Sequence, residues 1–357
     1  MDGIALREGI GLSVPEQVDL VLAEFLAAKT ADGDLAELDV MLALVKEFVL
    51  GAGKRLRPRL CYWGWRGAGG ADCREIVAVA AALELFHAFA LIQDDVMDCS
   101  DSRRGRPTLH RRFERLHTDR GWRGSSVRFG MSTAVLAGDL CTMWADEQLH
   151  GSGFDAETLS AGLPIYHLMR DEVIAGQYLD LLEQSRGPLS VSAALNVIRY
   201  KTARYTVQGP LQLGGALAGA GPQLLEAYSA FALPLGEAFQ LQDDLLGVFG
   251  DPAVIGKSTV DDLREGKSTV LAAHTLARSS APQRRRFLAL FGRSGLDADG
   301  VTELRQMMEH SGARRVVEQM IAARTARALK VLESMPICPE ASAALRELAI
   351  DLTARAR

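Results

Sequence analysis

The sequence has no excess of basic charge: 45 acidic against 40 basic residues give its 357 residues a net charge of −5. A nucleic-acid binder normally gathers a basic surplus on one face to neutralise phosphates, so any anion here must be met by local clusters. Cysteine pairs are missing as well. Cys61, Cys73, Cys99, Cys141 and Cys338 lie far apart and are odd in number, which points to a reducing compartment. The first ten residues, MDGIALREGI, lack the charged start and apolar run of a secretory signal. The most apolar stretch, Ile76 to Gln93, is broken by Glu84 and His87. No uninterrupted run approaches the roughly 20 apolar residues of a membrane-spanning helix. A cytoplasmic protein is expected.

Alternating β-branched runs, long linkers and internal repeats are also absent. What is present is helical periodicity. Leu35, Leu38, Met41, Leu42, Val45 and Val49 recur at three- and four-residue steps. The pattern returns in 74–99, 126–150, 156–184, 190–218, 222–249, 266–278, 282–292, 311–334 and 339–354. Short Gly- and Pro-rich breaks such as SRGP at 185–188 and AGAGP at 218–222 separate them. The chain therefore reads as all-α, one helical domain over 1–357, with 1–30 an N-terminal extension that says little about function. Pro210 and Pro234 fall inside helical patterns, where each removes a backbone donor and predicts a kink.

The chemistry concentrates in Leu91 to His110, LIQDDVMDCSDSRRGRPTLH. Asp94 and Asp98 sit at i and i+4, about one 5.4 Å turn apart on one helical face, and Asp95 points a quarter-turn away. Carboxylates this close repel one another unless a hard cation such as Mg2+ takes their oxygens. A lone cluster of this kind reads equally well as a solvated acidic helix end. Arg103, Arg104 and Arg106 follow at once, with Gly105 and Pro107 turning the chain back, and guanidinium forks match phosphate oxygens. Acids for a metal beside arginines predict a phosphate site.

A second cluster, Asp243 and Asp244 in FQLQDDLLGVFG, again ends an apolar helix. The spacing calls for an acid at 247, but Gly247 stands there, so this cluster is poorer in ligands and Asp243 is its expected direct ligand. Lys257, Asp262 and Lys267 follow, and Lys201-Thr202 precede; each suits a diphosphate oxygen.

With these motifs in order, the chain resembles the trans-isoprenyl diphosphate synthases, the polyprenyl synthetase family, from about Gly51 to about Leu271. The first aspartate motif, DDVMD at 94–98, is followed by RRGRP. Gly51 to Pro58, GAGKRLRP, matches the family's GGKRxRP with Ala52 for one glycine. His87 falls at the histidine of ELxH, Lys201-Thr202 at KT, Gln177 and Asp180 in GQxxDL, and Gln240 with Asp243-Asp244 in FQxxDD. Lys257 and Lys267 match the two late lysines. Gly247 departs from the second DDxxD, and Gln93 stands where the family commonly has histidine.

The resemblance implies a single large helical bundle of isoprenoid synthase type around a central apolar cavity. It also implies a homodimer and head-to-tail condensation of isopentenyl diphosphate with an allylic diphosphate. Asp94, Asp95, Asp98, Asp243 and Asp244 would be the metal set, with Asp94, Asp98 and Asp243 gripping about three Mg2+ ions. Arg103, Lys201, Thr202, Gln240, Lys257 and Lys267 would hold the allylic diphosphate, all but Lys257 also counted as catalytic with Asp94 and Asp98. Lys54, Arg55, His87 and Arg104 would hold isopentenyl diphosphate.

Product length is read from Phe89 and Ala90, the fifth and fourth residues before Asp94. One aromatic there fits a C20 geranylgeranyl product, and two are associated with C15 farnesyl. Phe86 and Phe89 read equally as core residues at i and i+3.

Three rivals stand beside this reading. Gly250 to Ser258, GDPAVIGKS, suggests a phosphate-binding loop, but five residues separate Gly250 from Gly256 where that motif has four, and no strand precedes it. A class I terpene cyclase uses similar aspartates but has no second diphosphate site, which Lys54, Arg55 and Arg104 would build. A regulatory subunit of a prenyl synthase could dispense with the acids, and the first set is whole.

Overall fold

The computed structural model describes residues 12–29, 37–51, 53–186, 190–251 and 259–354. Helix α1 (Val14–Ala27) starts at Ser13, which forms a reciprocal capping box with Glu16, and Pro15 occupies its first turn. It buries Val18, Val21, Leu22 and Leu26, so this part of the N-terminal extension belongs to the main core. Next come α2 (Leu38–Val49), α3 (Leu56–Gly67) and α4 (Arg74–Met97).

Helix α4 is the axis of the molecule. It is buried on nearly all sides, as expected of a helix apolar all round. The small row Ala80, Ala81 and Ala82 admits close neighbours, while Ile76, Leu83 and Leu85 fill the core. Each of these large side chains contributes about 1.5–3 kcal/mol by leaving water. Among the described residues, α4 alone is long and apolar enough to cross a membrane, and most of it is buried within the bundle.

A two-residue hairpin, β1 (Ser102–Arg103) and β2 (Arg106–Pro107), leads to α5 (Leu109–Asp119), α6 (Ser126–His150) and α7 (Ala156–Arg186). Then α8 (Val191–Val197) continues into a π-helical segment, Ile198–Gln208, and α9 (Gly209–Leu217). Pro210 lies in the first turn of α9. It has no N–H to return to a carbonyl four or five residues earlier, and the wide turns precede it. Helix α10 (Pro222–Phe249) carries Pro234 within it. The chain closes with α11 (Asp261–Glu265), α12 (Val270–Arg278), α13 (Ala281–Leu290), α14 (Ala298–His310), α15 (Ala313–Glu333) and α16 (Pro339–Thr353).

Among the described residues, three apolar clusters hold the bundle. One surrounds α4, the second joins α8 and α10 to α12–α15, and the third joins α3, α9 and α10 to α15 and α16. The fold is all-α, as the periodicity predicts. The periodicity did not mark α1, α3, α5, α11, α14 or the hairpin. Helix α3 carries Pro58, Gly64 and Gly67, and α5 is mostly polar, so tertiary packing rather than local preference sustains them.

Candidate active site

The acids of α4 fall at its C-terminus, where the helix dipole already disfavours negative charge. Cations from three other elements meet them. Lys201 Nζ, on the π segment, donates to Asp94 Oδ1 at 2.9 Å and to Asp180 Oδ2 of α7 at 2.6 Å. Arg103 Nε donates to Asp95 Oδ1 at 2.7 Å and its Nη2 to Asp94 Oδ2 at 3.2 Å. Lys267 Nζ lies 3.0 Å from Asp98 Oδ2 and 3.2 Å from Glu265 Oε2.

Burial pushes the Asp94 carboxyl up, but Lys201, Lys267 and Arg103 together outweigh it and hold the group below the usual carboxylate range. Burial and the charge of Asp94 raise Asp98, with Lys267 opposing. Burial takes Glu265 up to about 7 against Lys267. Lys201 loses charge preference to burial and regains more from Asp94 and Asp180, so its ammonium titrates above its ordinary value.

The hairpin turn sets the two arginines apart. Arg104 and Gly105 have φ of 54° and 72°, the paired positive values of a two-residue hairpin loop. Left-handed Arg104 costs about 1–2 kcal/mol. It sends Arg103 to the acids and Arg104 to the cavity beside Gly53, where a β-carbon would stand 3.2 Å from its Nη2.

Lys54, Arg57, His87 and Arg104 line the same cavity. Arg57 donates to Thr206 Oγ1 at 2.7 Å, and its guanidinium carbon sits 4.3 Å from the centre of the Tyr205 ring. Burial first, then Arg57, Arg104, Arg103 and Arg55, holds His87 well below its usual pKa, so the imidazole is neutral. Tyr205 Oη lies 3.3 Å from His87 Nδ1; a hydroxyl donating there leaves the ring proton on Nε2. Burial and the neighbouring guanidinium groups lower Arg104, with Glu84 opposing. So much mutually repelling positive charge in one pocket calls for an anion.

Arg55 reaches the cavity wall but spends its guanidinium elsewhere. It is 3% exposed and pairs at 2.7 Å with both Asp19 of α1 and Glu84 of α4. Its Nη2 donates to the carbonyls of Val49 and Gly51 at 3.2 Å. Of the two arginines flanking Leu56, the geometry turns Arg57 toward the cavity, whereas the motif resemblance points to Arg55. No local signal separates the two, because Lys54 and Arg55 precede α3 and Arg55 is left-handed, with φ 47°.

At the second acid cluster, Thr202 Oγ1 donates to Gln240 Oε1 at 2.8 Å and Gln240 Nε2 to Asp244 Oδ1 at 2.8 Å. Asp243, Asp244, Thr202 and Gln240 line the cavity with Asp94, Lys201 and Lys267. Asp95 is not brought to that wall; it is 1% exposed and serves Arg103. Asp98 reaches the site through Lys267. Lys257 lies outside the described residues, as does Ala52. Sequence reasoning assigned no role to Tyr205, Thr206 or Glu265, and none of them carries a motif of its own.

The cavity measures about 590 Å³. Ala90, Leu91, Val173, Val197, Ile198 and Phe239 give it apolar wall. Phe86 and Phe89 are not among the lining residues; their rings lie 5.2 Å apart, with Phe86 buried in the core. The donor set at the acidic end is all carboxylate oxygen, which suits a hard divalent cation. The buried Oδ2 of Asp95 has no hydrogen-bond donor, Asp98 Oδ2 faces the Lys267 ammonium, and the carboxylate chemistry of the set as a whole fits Mg2+. Among the described residues no three acids enclose an ion by themselves. An ion held here would be shared between carboxylates and substrate phosphates, the usual arrangement for Mg2+.

Comparison with known proteins agrees with this geometry. The polyprenyl synthetase family model matches residues 39–308. The chain is 30% identical over 303 residues to geranylfarnesyl diphosphate synthase of Aeropyrum pernix, covering 84% of this chain and 89% of that one. It is 30% identical over 300 residues to (2E,6E)-farnesyl diphosphate synthase of Mycobacterium tuberculosis, covering 83% and 78%. The crystal structure of geranylgeranyl pyrophosphate synthase from Corynebacterium glutamicum, complexed with isoprenyl diphosphate and magnesium, superposes with a TM-score of 0.93 at 40% identity, covering 96% of this chain and 99% of that one. An acid-rimmed, arginine-lined cavity on an all-α frame and a family match over most of its length lead to one conclusion: the chain belongs to the polyprenyl synthetase family.

Proposed function

We propose that this chain is a trans-prenyltransferase that condenses isopentenyl diphosphate head-to-tail with an allylic diphosphate, and that its product is C20 geranylgeranyl diphosphate. The observation that carries this reading is two anion sites in one cavity. Lys201, Lys267 and Arg103 stand at the acids, while Lys54, Arg57 and Arg104, with neutral His87 beside them, form a separate cationic group. A class I cyclase, acting on one allylic diphosphate, has no use for the second set. A regulatory subunit has no use for the first.

Asp94, Asp98 and Asp243 would hold about three Mg2+ ions, which when bound neutralise a diphosphate and make it a better leaving group. Arg103, Lys201 and Lys267 place fixed positive charge where negative charge develops as the allylic C–O bond ionises. Thr202 fixes the Gln240 amide so that its oxygen can lend negative potential to the allylic cation. Arg57, rather than the ion-paired Arg55, joins Lys54, neutral His87 and Arg104 in positioning isopentenyl diphosphate, so that its double bond meets the cation in a fixed orientation. The apolar wall receives the growing chain and keeps water from the cation.

The C20 assignment rests on Phe89 and Ala90, of which Ala90 lines the cavity. A homodimer is supported by apolar side chains left exposed on α6 (Val135, Leu136, Met143) and α7 (Leu168, Ile174, Tyr178). The absence of paired cysteines supports a cytoplasmic location, and burial of α4 supports a chain without a membrane span. One domain is supported by the way α10 and α15 join two of the three cores. The test is incubation of purified protein with Mg2+, isopentenyl diphosphate and dimethylallyl, geranyl or farnesyl diphosphate, followed by product chromatography. Elongated diphosphates ending at C20 are expected; cyclic hydrocarbon from an allylic substrate alone would overturn the proposal.

A further inference from the structure

Gly247 stands where the second aspartate cluster would carry its third acid, about one helical turn beyond Asp243. Another element reaches into that place. Asp262, in α11, lays its carboxylate against the α10 backbone: a β-carbon on Gly247 would stand 2.2 Å from Asp262 Oδ2 and 3.2 Å from its Cγ. No side chain fits at 247 while Asp262 keeps that position. The same Asp262 lines the cavity with Asp94, Asp243 and Asp244. Its Oδ1 lies 3.7 Å from Lys267 Nζ, the ammonium that pairs with Asp98 at 3.0 Å. The position is fixed locally, since α11 ends at left-handed Gly266 and the Lys267 N–H returns to the Asp262 carbonyl at 3.1 Å.

We propose that Asp262 supplies the third carboxylate of the second acid cluster, and that Gly247 is the notch that admits it. The chain thereby carries a full second set of acids, one member delivered from outside the motif. This rests on the metal and diphosphate reading of the site. Asp262 acts there on the divalent ion beside Asp243, directly or through the ion's water.

Metal binding provides the test. Mn2+ is titrated, with magnetic resonance detection of the free ion, into protein holding saturating inorganic pyrophosphate. The proteins compared are the unaltered chain, Asp262→Asn, Asp262→Ala, the double variant Asp262→Ala/Gly247→Asp, and Asp243→Ala, each checked by circular dichroism for an unchanged helical spectrum. Asp262→Asn keeps the side-chain shape and folds even if the truncation does not. Its Mn2+ midpoint is expected to rise about tenfold, the scale of losing a supporting group at a metal. Pyrophosphate affinity at saturating Mn2+ should stay unchanged, and the double variant should recover the midpoint. Were Asp262 only an anchor for Lys267, pyrophosphate would bind more weakly even at saturating metal, and that result overturns the proposal. An unmoved midpoint in Asp262→Asn beside a weakened Asp243→Ala also overturns it and leaves the metal reading intact. Unmoved midpoints in both remove the two together.

Discussion

Gly176 of α7 presses against the backbone of Lys201: a β-carbon at 176 would lie 2.3 Å from the Lys201 nitrogen and 2.6 Å from its Cα. On the other side, Gly236 of α10 approaches the Cα of Ala203 in the same way, at 2.5 Å. The π segment is thus clamped between two helices at their glycines, and the clamp sets how far the Lys201 ammonium reaches toward Asp94. Gly176→Ala is expected to cost about 1–3 kcal/mol through overpacking and to lower turnover, because Lys201 must retreat. Urea unfolding and steady-state kinetics on one preparation check both effects. Unchanged stability would show that the π segment yields freely.

Asp94→Ala separates folding from chemistry. With the carboxylate removed, Lys201 keeps Asp180 and Arg103 keeps Asp95, so no buried cation loses its last partner. Stability should change little. Turnover should fall by roughly two to three orders of magnitude, the scale of losing one preorganised electrostatic group. Turnover within a few-fold of the unaltered chain would remove Asp94 from the site.

The two arginines of GAGKRLRP, Arg55 and Arg57, should behave in opposite ways. Arg55→Met leaves Glu84 buried without its cation and is expected to destabilise by about 3–5 kcal/mol. Arg57→Met removes a donor to the Thr206 hydroxyl and the cation over the Tyr205 ring, and strands no buried charge. It should fold normally and raise KM for isopentenyl diphosphate. Thermal melts and substrate-resolved kinetics distinguish them; the reverse pattern would return Arg55 to the substrate.

How much of this was readable in advance depends on distance along the chain. Asp94, Asp98, Arg103 and Arg104 share one short segment, and their chemistry follows from spacing on a helix and a turn. Arg55 and Arg57 share a segment too, but which one faces the cavity depends on Asp19 and Glu84, far away in sequence. The Asp262 and Gly247 contact joins two elements with nothing local to announce it. A π-helical stretch has no residue pattern of its own; Pro210 signalled a disturbance near 201–208 and could not specify its form.

Acidification should weaken the fold through His87. Burial and the surrounding guanidinium groups hold its imidazole neutral, with a folded-state pKa well below the usual value, whereas the unfolded chain takes up a proton near about pH 6.5. At this residue the unfolded state then binds more protons, so the His87 contribution rises with pH: it is fully present above about 6.5 and is lost as pH falls below that value. Urea midpoints at about pH 7.5 and about pH 5.5 measure the loss. His87→Gln should remove its share of the loss; His110 and His274, which burial also lowers, add to the loss, and Glu265, raised by burial to about 7, opposes it by taking up a proton in the folded state. An identical slope in the variant would place the titration elsewhere.

Product length should respond at the cavity wall before it responds behind it. Ala90 lines the cavity and Phe89 stands next to Phe86. Ala90→Phe is expected to shorten the product from C20 to C15, and Phe89→Ser to lengthen it. Chromatography of the dephosphorylated alcohols reads both. Unaltered profiles would return the pair to ordinary core packing.

The ammonium groups lodged against Asp94 and Asp98 bear on the order in which ligands enter. A bare divalent ion approaching these carboxylates meets acids whose charge is already answered by Lys201, Lys267 and Arg103, and it gains little by competing with them. An incoming diphosphate brings several negative charges of its own, enough to engage the lysines and the ion together. Magnesium and the allylic substrate should therefore arrive as partners, with the substrate acting as escort for the metal that will later help dismantle it.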